Sequence, residues 1–225
     1  MAIKEFSHRQ IASHIRRDRF PAGLDQRDGL GQVGVVVSPL MRTTETKELR
    51  IRLAQWDELA SLPALQLAAG EAFRGIGMTD VADNPPQAAE ELAVYQRAGR
   101  VWVGVDSADT PMGFVVVDLL DGCAHVEQVS VHPTVRGRGL GRRLIDRVAS
   151  WAADMGLPAL TLSTFRTVPW NAPYYRRLGF RELEGGQITP GLRSVLEAEA
   201  TFGLDPSTRV CVRRSVRQGP DVLPD

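Results

Sequence analysis

Cysteine is nearly absent: Cys123 and Cys211 are the only two in 225 residues. Both sit in alternating apolar segments, so they are expected to be small buried side chains in a reducing compartment rather than a disulfide framework. An excess of either charge is also missing. Lysine plus arginine and aspartate plus glutamate number 27 each, which removes the global basic field that nucleic acid or an anionic membrane would select. Long hydrophobic runs are lacking too: stretches such as Val33–Val37 fall far short of the roughly 20 residues that span a bilayer, and the N-terminus has no apolar signal core. No Cys/His cluster has metal-ligand spacing, no Ser/His/Asp constellation stands out, and no solenoid repeat recurs. The expectation is a cytoplasmic protein without metal, nucleic-acid or membrane partners.

What is present is enough apolar material, 43% of residues, to bury one full core plus an appendage. Residues 1–46 form an extension of unknown role, with scattered glycines, one β-like stretch (Gln32–Val37) and basic residues Lys4, Arg9, Arg16, Arg17 and Arg19, read as a solvated leader. Residues 47–217 form the regular domain and 218–225 a tail. Alternation predicts strands over Leu49–Leu53, Val101–Val105, Gly113–Leu120, His125–Val131, Ala159–Ser163, Phe180–Leu183 and Arg209–Val216. Helical spacing and Gly/Pro punctuation predict helices over Trp56–Phe73, Gln87–Ala98, Leu140–Met155, Pro173–Leu178 and Gly191–Phe202. The order is mixed α/β rather than strictly alternating.

Between the His125–Val131 strand and the helix at Leu140 lies a turn ending Arg136-Gly137-Arg138-Gly139. The first N–H groups of a helix lack intrahelical partners and carry partial positive charge, and glycine lets a ligand approach the backbone, so this turn is a candidate anion site. A P-loop would need Lys-Ser/Thr where Arg142-Arg143 follow Gly141, and a dinucleotide fingerprint lacks its last glycine, Arg142 standing there. A plain glycine-rich helix cap is the competing reading.

Arg136, Gly139 and Gly141 match the Arg/Gln-x-x-Gly-x-Gly/Ala motif of the GNAT superfamily of acyl-CoA-dependent N-acyltransferases, which the sequence here resembles. Val129-Ser130-Val131-His132-Pro133 is similar to the strand entering that turn, and Asn171 with Tyr174-Tyr175-Arg176-Arg177-Leu178-Gly179-Phe180 is similar to the family's Asn…Tyr-x-x-x-Gly-Phe segment. The resemblance covers roughly Lys47–Val216, with Asn171 and Tyr175 closer together than in many relatives. It implies a central mixed, largely antiparallel sheet, flanked by helices and splayed between the His125–Val131 and Ala159–Ser163 strands, where the acetyl-CoA co-substrate lies. Backbone groups of Val129, Ser130 and Val131 would pair with the pantetheine arm. Main-chain amides of Arg136, Gly137, Arg138, Gly139, Leu140, Gly141 and Arg142 would take the pyrophosphate. Asn171 would contact the arm, and Tyr175 would lie near the thioester sulfur.

Acetyl transfer needs a neutral amine, a polarised thioester and a proton for the departing thiolate. Glu127 is the candidate base: it shares strand parity with Val129 and Val131, and burial would raise its pKa toward a useful range. His125 is the runner-up. Tyr175 is the candidate proton donor, Tyr174 being expected to face elsewhere, and Trp170 is expected to wall the acceptor site. The acceptor, a primary amine, would be chosen by Phe73–Glu90 and Glu184–Ser207, which carry Asp80, Asp83, Glu197 and Glu199. A non-catalytic acyl-CoA module and an arginine-based nucleic-acid binder are the alternatives, and exposed sheet edges allow a homodimer.

Overall fold

The computed structural model describes residues 2–3 and 49–216. The rest of the 1–46 extension, with its basic residues and the Gln32–Val37 stretch, and the 218–225 tail lie outside the described residues.

The strands are β1 (Ala2–Ile3), β2 (Arg50–Leu53), β3 (Val101–Val105), β4 (Pro111–Leu120), β5 (Cys123–Val131), β6 (Ala159–Phe165), β7 (Arg181–Glu182) and β8 (Arg209–Ser215). The helices are α1 (Leu62–Arg74), α2 (Thr79–Asp83), α3 (Ala89–Arg97), α4 (Leu140–Asp154), α5 (Ala172–Arg177) and α6 (Pro190–Thr201). The first long helix starts later than Trp56, because Leu59–Ser61 form a 3-10 turn and the α-helix proper opens with proline in its first turn, where the missing N–H is not needed. Helix α2 lies inside the segment expected to be loop. The polar turn between β3 and β4 is held by Asp106, whose carboxylate accepts from the Ala108 and Thr110 N–H groups at 2.9 and 3.0 Å.

The sheet runs β2-β3-β4-β5-β6-β8-β7, with β1 off this path on β5. All neighbours are antiparallel except β5 and β6. Those two meet only at Ala124↔Leu160 and His125↔Thr161 and then part, which is the expected splay. Two cores flank the sheet. Val115, Val117, Val129 and Val131 pack with Leu140, Leu144 and Val148 of α4 on one face, while Val101, Val103, Phe114 and Val116 pack with Leu62, Leu65 and Leu92 of α1 and α3 on the other. Met155, assigned to the α4 stripe, is 56% exposed, because the helix has ended at Asp154.

Candidate active site

Helix α4 brings its N-terminus to the open end of the splay. Leu140, its first residue, drops onto Gly104 and Gly113, paired across β3 and β4. A Cβ on Gly113 would stand 2.8 Å from the Ser130 carbonyl and 2.9 Å from Leu140 Cδ2, and one on Gly104 would collide with Leu140 Cδ1. The glycines therefore make the flat floor that seats the helix start.

Before that start, Gly137 and Gly139 take left-handed φ of 79° and 77°, a conformation glycine adopts without steric cost. Nothing lies within 4 Å of where their Cβ atoms would be. The first helical bond runs from the Arg143 N–H to the Gly139 carbonyl, so the amides of Leu140, Gly141 and Arg142 precede the ladder. They front a cavity of about 470 Å³ lined by Val131, Arg136, Gly137, Gly139, Leu140, Gly141 and Arg142 from the expected set, and by Trp170, Tyr174, Arg177 and Leu178. Arg138 is exposed and outside that lining.

Asn171 caps α5 from a fully buried position. Its Nδ2 donates to Thr164 Oγ1 at 2.8 Å, while Oδ1 meets no donor among the described residues. Buried polar atoms are nearly always paired, so an amide carbonyl held ready in this way suits a ligand N–H. A cradle of backbone amides, flanking arginines and a waiting acceptor fit a phosphate-bearing, amide-containing cofactor such as acetyl-CoA. The edge of β5 does accept an extended chain: β1 pairs antiparallel there, Ala2 with Ser130 and Ile3 with Val129.

Tyr174, expected to face elsewhere, is the tyrosine at the cavity wall. The Arg177 guanidinium lies over its ring, and burial, with Asp146 next, pushes its phenol up to about 12. Tyr175 is wholly buried, its ring 5.2 Å from Phe180 and 5.7 Å from Tyr174. The adjacency in a short helix turns the pair about 100° apart, and nothing in the sequence says which one meets solvent.

Glu127 does not share a face with Val129 and Val131. Val116 faces Gln128 and Val117 faces Val126, so Glu127 stands opposite no residue of β4, a bulge that resets the alternation. Val126 and Val129 accordingly lie in the same α4-side core. The Glu127 carboxylate is felt instead by Tyr95, which packs on the opposite core; after burial, Glu127 is the largest influence raising that phenol's pKa. Glu127 is 4% exposed and belongs to the face under α1 and α3. His125 sits where β5 and β6 still pair, its Nδ1 3.0 Å from Thr161 Oγ1. A buried amide chain continues along this face: Gln66 Nε2 donates to Gln128 Oε1 at 3.3 Å and Gln128 Nε2 to Ser130 Oγ at 2.8 Å.

Among the described residues no group of three or more potential ligands could hold a metal ion, and no helix is long and apolar enough to cross a membrane.

Residues 65–180 match the model of the Acetyltransferase (GNAT) family. The chain is 36% identical over 70 residues to an IAA acetyltransferase of Azospirillum brasilense, covering 31% of this chain and 46% of that protein. It is 33% identical over 81 residues to the peptidyl-lysine N-acetyltransferase YjaB of Escherichia coli, covering 36% and 49%. The chain thus spans about half the length of the curated relatives it matches. Its fold is shared with N-acetylglutamate synthase from Neisseria gonorrhoeae, solved with coenzyme A and N-acetylglutamate, at a TM-score of 0.57 and 14% identity over 77% of this chain and 36% of that one. With the matched segment running from α1 through the cradle to Phe180, the chain belongs to the GNAT acetyltransferase family.

Proposed function

We propose that the protein transfers an acetyl group from acetyl-CoA to a primary amine by direct attack in a ternary complex. The observation that carries this reading is the open cradle at Gly137–Arg142 beside a splayed strand edge, with the buried Asn171 Oδ1 lacking a donor among the described residues. Helix-start amides favour the pyrophosphate, Arg136, Arg142 and Arg177 add charge, and main-chain groups of Val129 and Val131 pair with the pantetheine amides. Membership of the family and the coenzyme A held by a structural neighbour support the donor.

The bulge supports an acceptor approach from the α1 and α3 side of the sheet. The α4 face carries the donor, while Glu127 looks to the α1 and α3 face, so the two substrates approach through the splay from opposite faces. Glu127 takes the proton that the ammonium must lose before its nitrogen can attack. A tyrosine of α5 supplies a proton or hydrogen bond to the departing sulfur, with Tyr175 in the family position and Tyr174 at the cavity wall. Two buried, unbridged cysteines fit a cytoplasmic location, and the exposed edge β2, with Leu53 49% exposed, is a surface through which a homodimer would form.

Calorimetry with acetyl-CoA, followed by a screen of amines, amino acids, aminoglycosides, polyamines and peptides read by free thiol release, tests the reading. Binding with amine-dependent thiol release is expected. Binding without release on any amine class would instead support an acyl-CoA-binding module, and oligonucleotide binding without acetyl-CoA binding would overturn both.

A further inference from the structure

The bulge that turns Glu127 toward α1 and α3 has to be held by something other than the ladder. Opposite Val116 there is one place, and Gln128 takes it while Glu127 is left over. An extra residue in a strand has no partner of its own, so backbone pairing alone does not decide which of two neighbours is the extra one. Slippage by one residue would carry a side chain about 3.3 Å along the strand.

Two buried side-chain amides make the choice. The Gln87 backbone N–H, just before α3, donates to Gln66 Oε1 at 3.2 Å. A backbone N–H can only donate, so the Gln66 atom facing it is the oxygen and the atom facing β5 is the Nε2 donor. That donor meets Gln128 Oε1 at 3.3 Å. Gln128 Nε2 is then left for Ser130 Oγ at 2.8 Å and, more weakly, for the Val129 carbonyl at 3.4 Å. Every bond in the chain therefore runs one way, from Gln87 through α1 to β5, and one main-chain donor fixes the direction of all of them.

Gln66, Gln87, Gln128 and Ser130 are each at most 3% exposed, on the face whose core holds Leu62, Leu65, Phe114 and Val116. Apolar contact is non-directional and would tolerate either neighbour in the ladder, whereas a side chain tied at both ends does not. Gln87 also belongs to the segment expected to choose the acceptor.

Resting on the acetyltransferase reading with Glu127 as base, we propose that Gln66 and Gln128 are positioning residues. They keep Gln128 in the ladder and Glu127 in the bulge, and so tie the base to the acceptor-side segment at Gln87. They act through Glu127 and exchange no proton with the amine.

The test cuts the chain with Gln66→Met and with Gln128→Met, each of which leaves a buried amide without its partner. The double variant replaces both by apolar side chains of similar size and should recover most of the Tm lost in either single variant. Hydrogen exchange on the ligand-free protein should be about tenfold faster or more across Val126–Val129 in all three variants, with Val101–Val105 unchanged. With the amine that supports thiol release, kcat should fall on the order of ten- to a hundredfold in all three, the double variant included. In a Glu127→Gln background the same substitutions should cost no more than about twofold, because a residue that acts only through Glu127 then has nothing left to position. Wild-type exchange across Val126–Val129, losses that multiply in the Glu127→Gln background, or a kcat that recovers together with Tm in the double variant overturns the proposal. Failure of the underlying reading looks different: the wild-type protein releases no thiol with any amine class, or Glu127→Gln alone leaves kcat unchanged, and the positioning role falls with it.

Discussion

Glu127 faces the α1 and α3 side of the sheet because β5 has one residue more there than β4 needs. Strand alternation extrapolated from Val129 and Val131 puts it on the wrong face, since a bulge depends on the register of two strands and leaves no mark on either alone. Replacing Glu127 by Gln should cost roughly 10²–10⁴ in kcat/KM near neutral pH. The deficit should shrink as pH approaches about 10, where the amine deprotonates without help; a loss that is flat with pH would reassign Glu127 to structure. The tyrosines divide by a kinetic split. Tyr175→Phe should lower kcat if its hydroxyl serves the leaving sulfur, and unchanged kcat across pH would remove it as the acid. Tyr174→Phe, which takes a phenol from the cavity wall, should raise the KM for acetyl-CoA instead.

Helix α4 was the most legible element, because its stripe, its glycine entry and its glycine exit agree. Its seat was not legible. Gly104 and Gly113 sit 9 positions apart on separate strands, and only the pairing of β3 with β4 brings them under Leu140. Gly113→Ala should therefore cost about 1–3 kcal/mol through overpacking and weaken acetyl-CoA binding by displacing the cradle, read as a lower Tm together with a higher Kd. The Glu199–Arg209 pair was hidden for a similar reason, a sequence that shows charges without showing which are buried together. Both partners are at most 2% exposed, so Arg209→Met, which strands a buried carboxylate, should destabilise by about 3–5 kcal/mol, measurable by thermal melting.

At the scale of the molecule, the splay followed from the motif positions, while the strand order and the way Gly77–Asn84 and Phe202–Thr208 meet around one cavity did not, because both depend on contacts between segments far apart in the chain. The two halves of the sheet share only two residue pairs between β5 and β6. That economy leaves the edge of β5 at Val129 and Ser130 open to an extended chain, and β1 takes it. The same edge is assigned to the pantetheine arm, and two chains cannot hold one row of amides. Were the arm to take that edge, it would have to displace Ala2–Ile3. Ile3→Pro, which removes a backbone N–H from β1, should tighten acetyl-CoA binding in calorimetry, whereas an unchanged Kd would mean that β1 and the arm do not contend for the edge. Occupancy by donor would then release the N-terminus, so that its protease sensitivity reports the state of a cleft some 130 residues away along the chain.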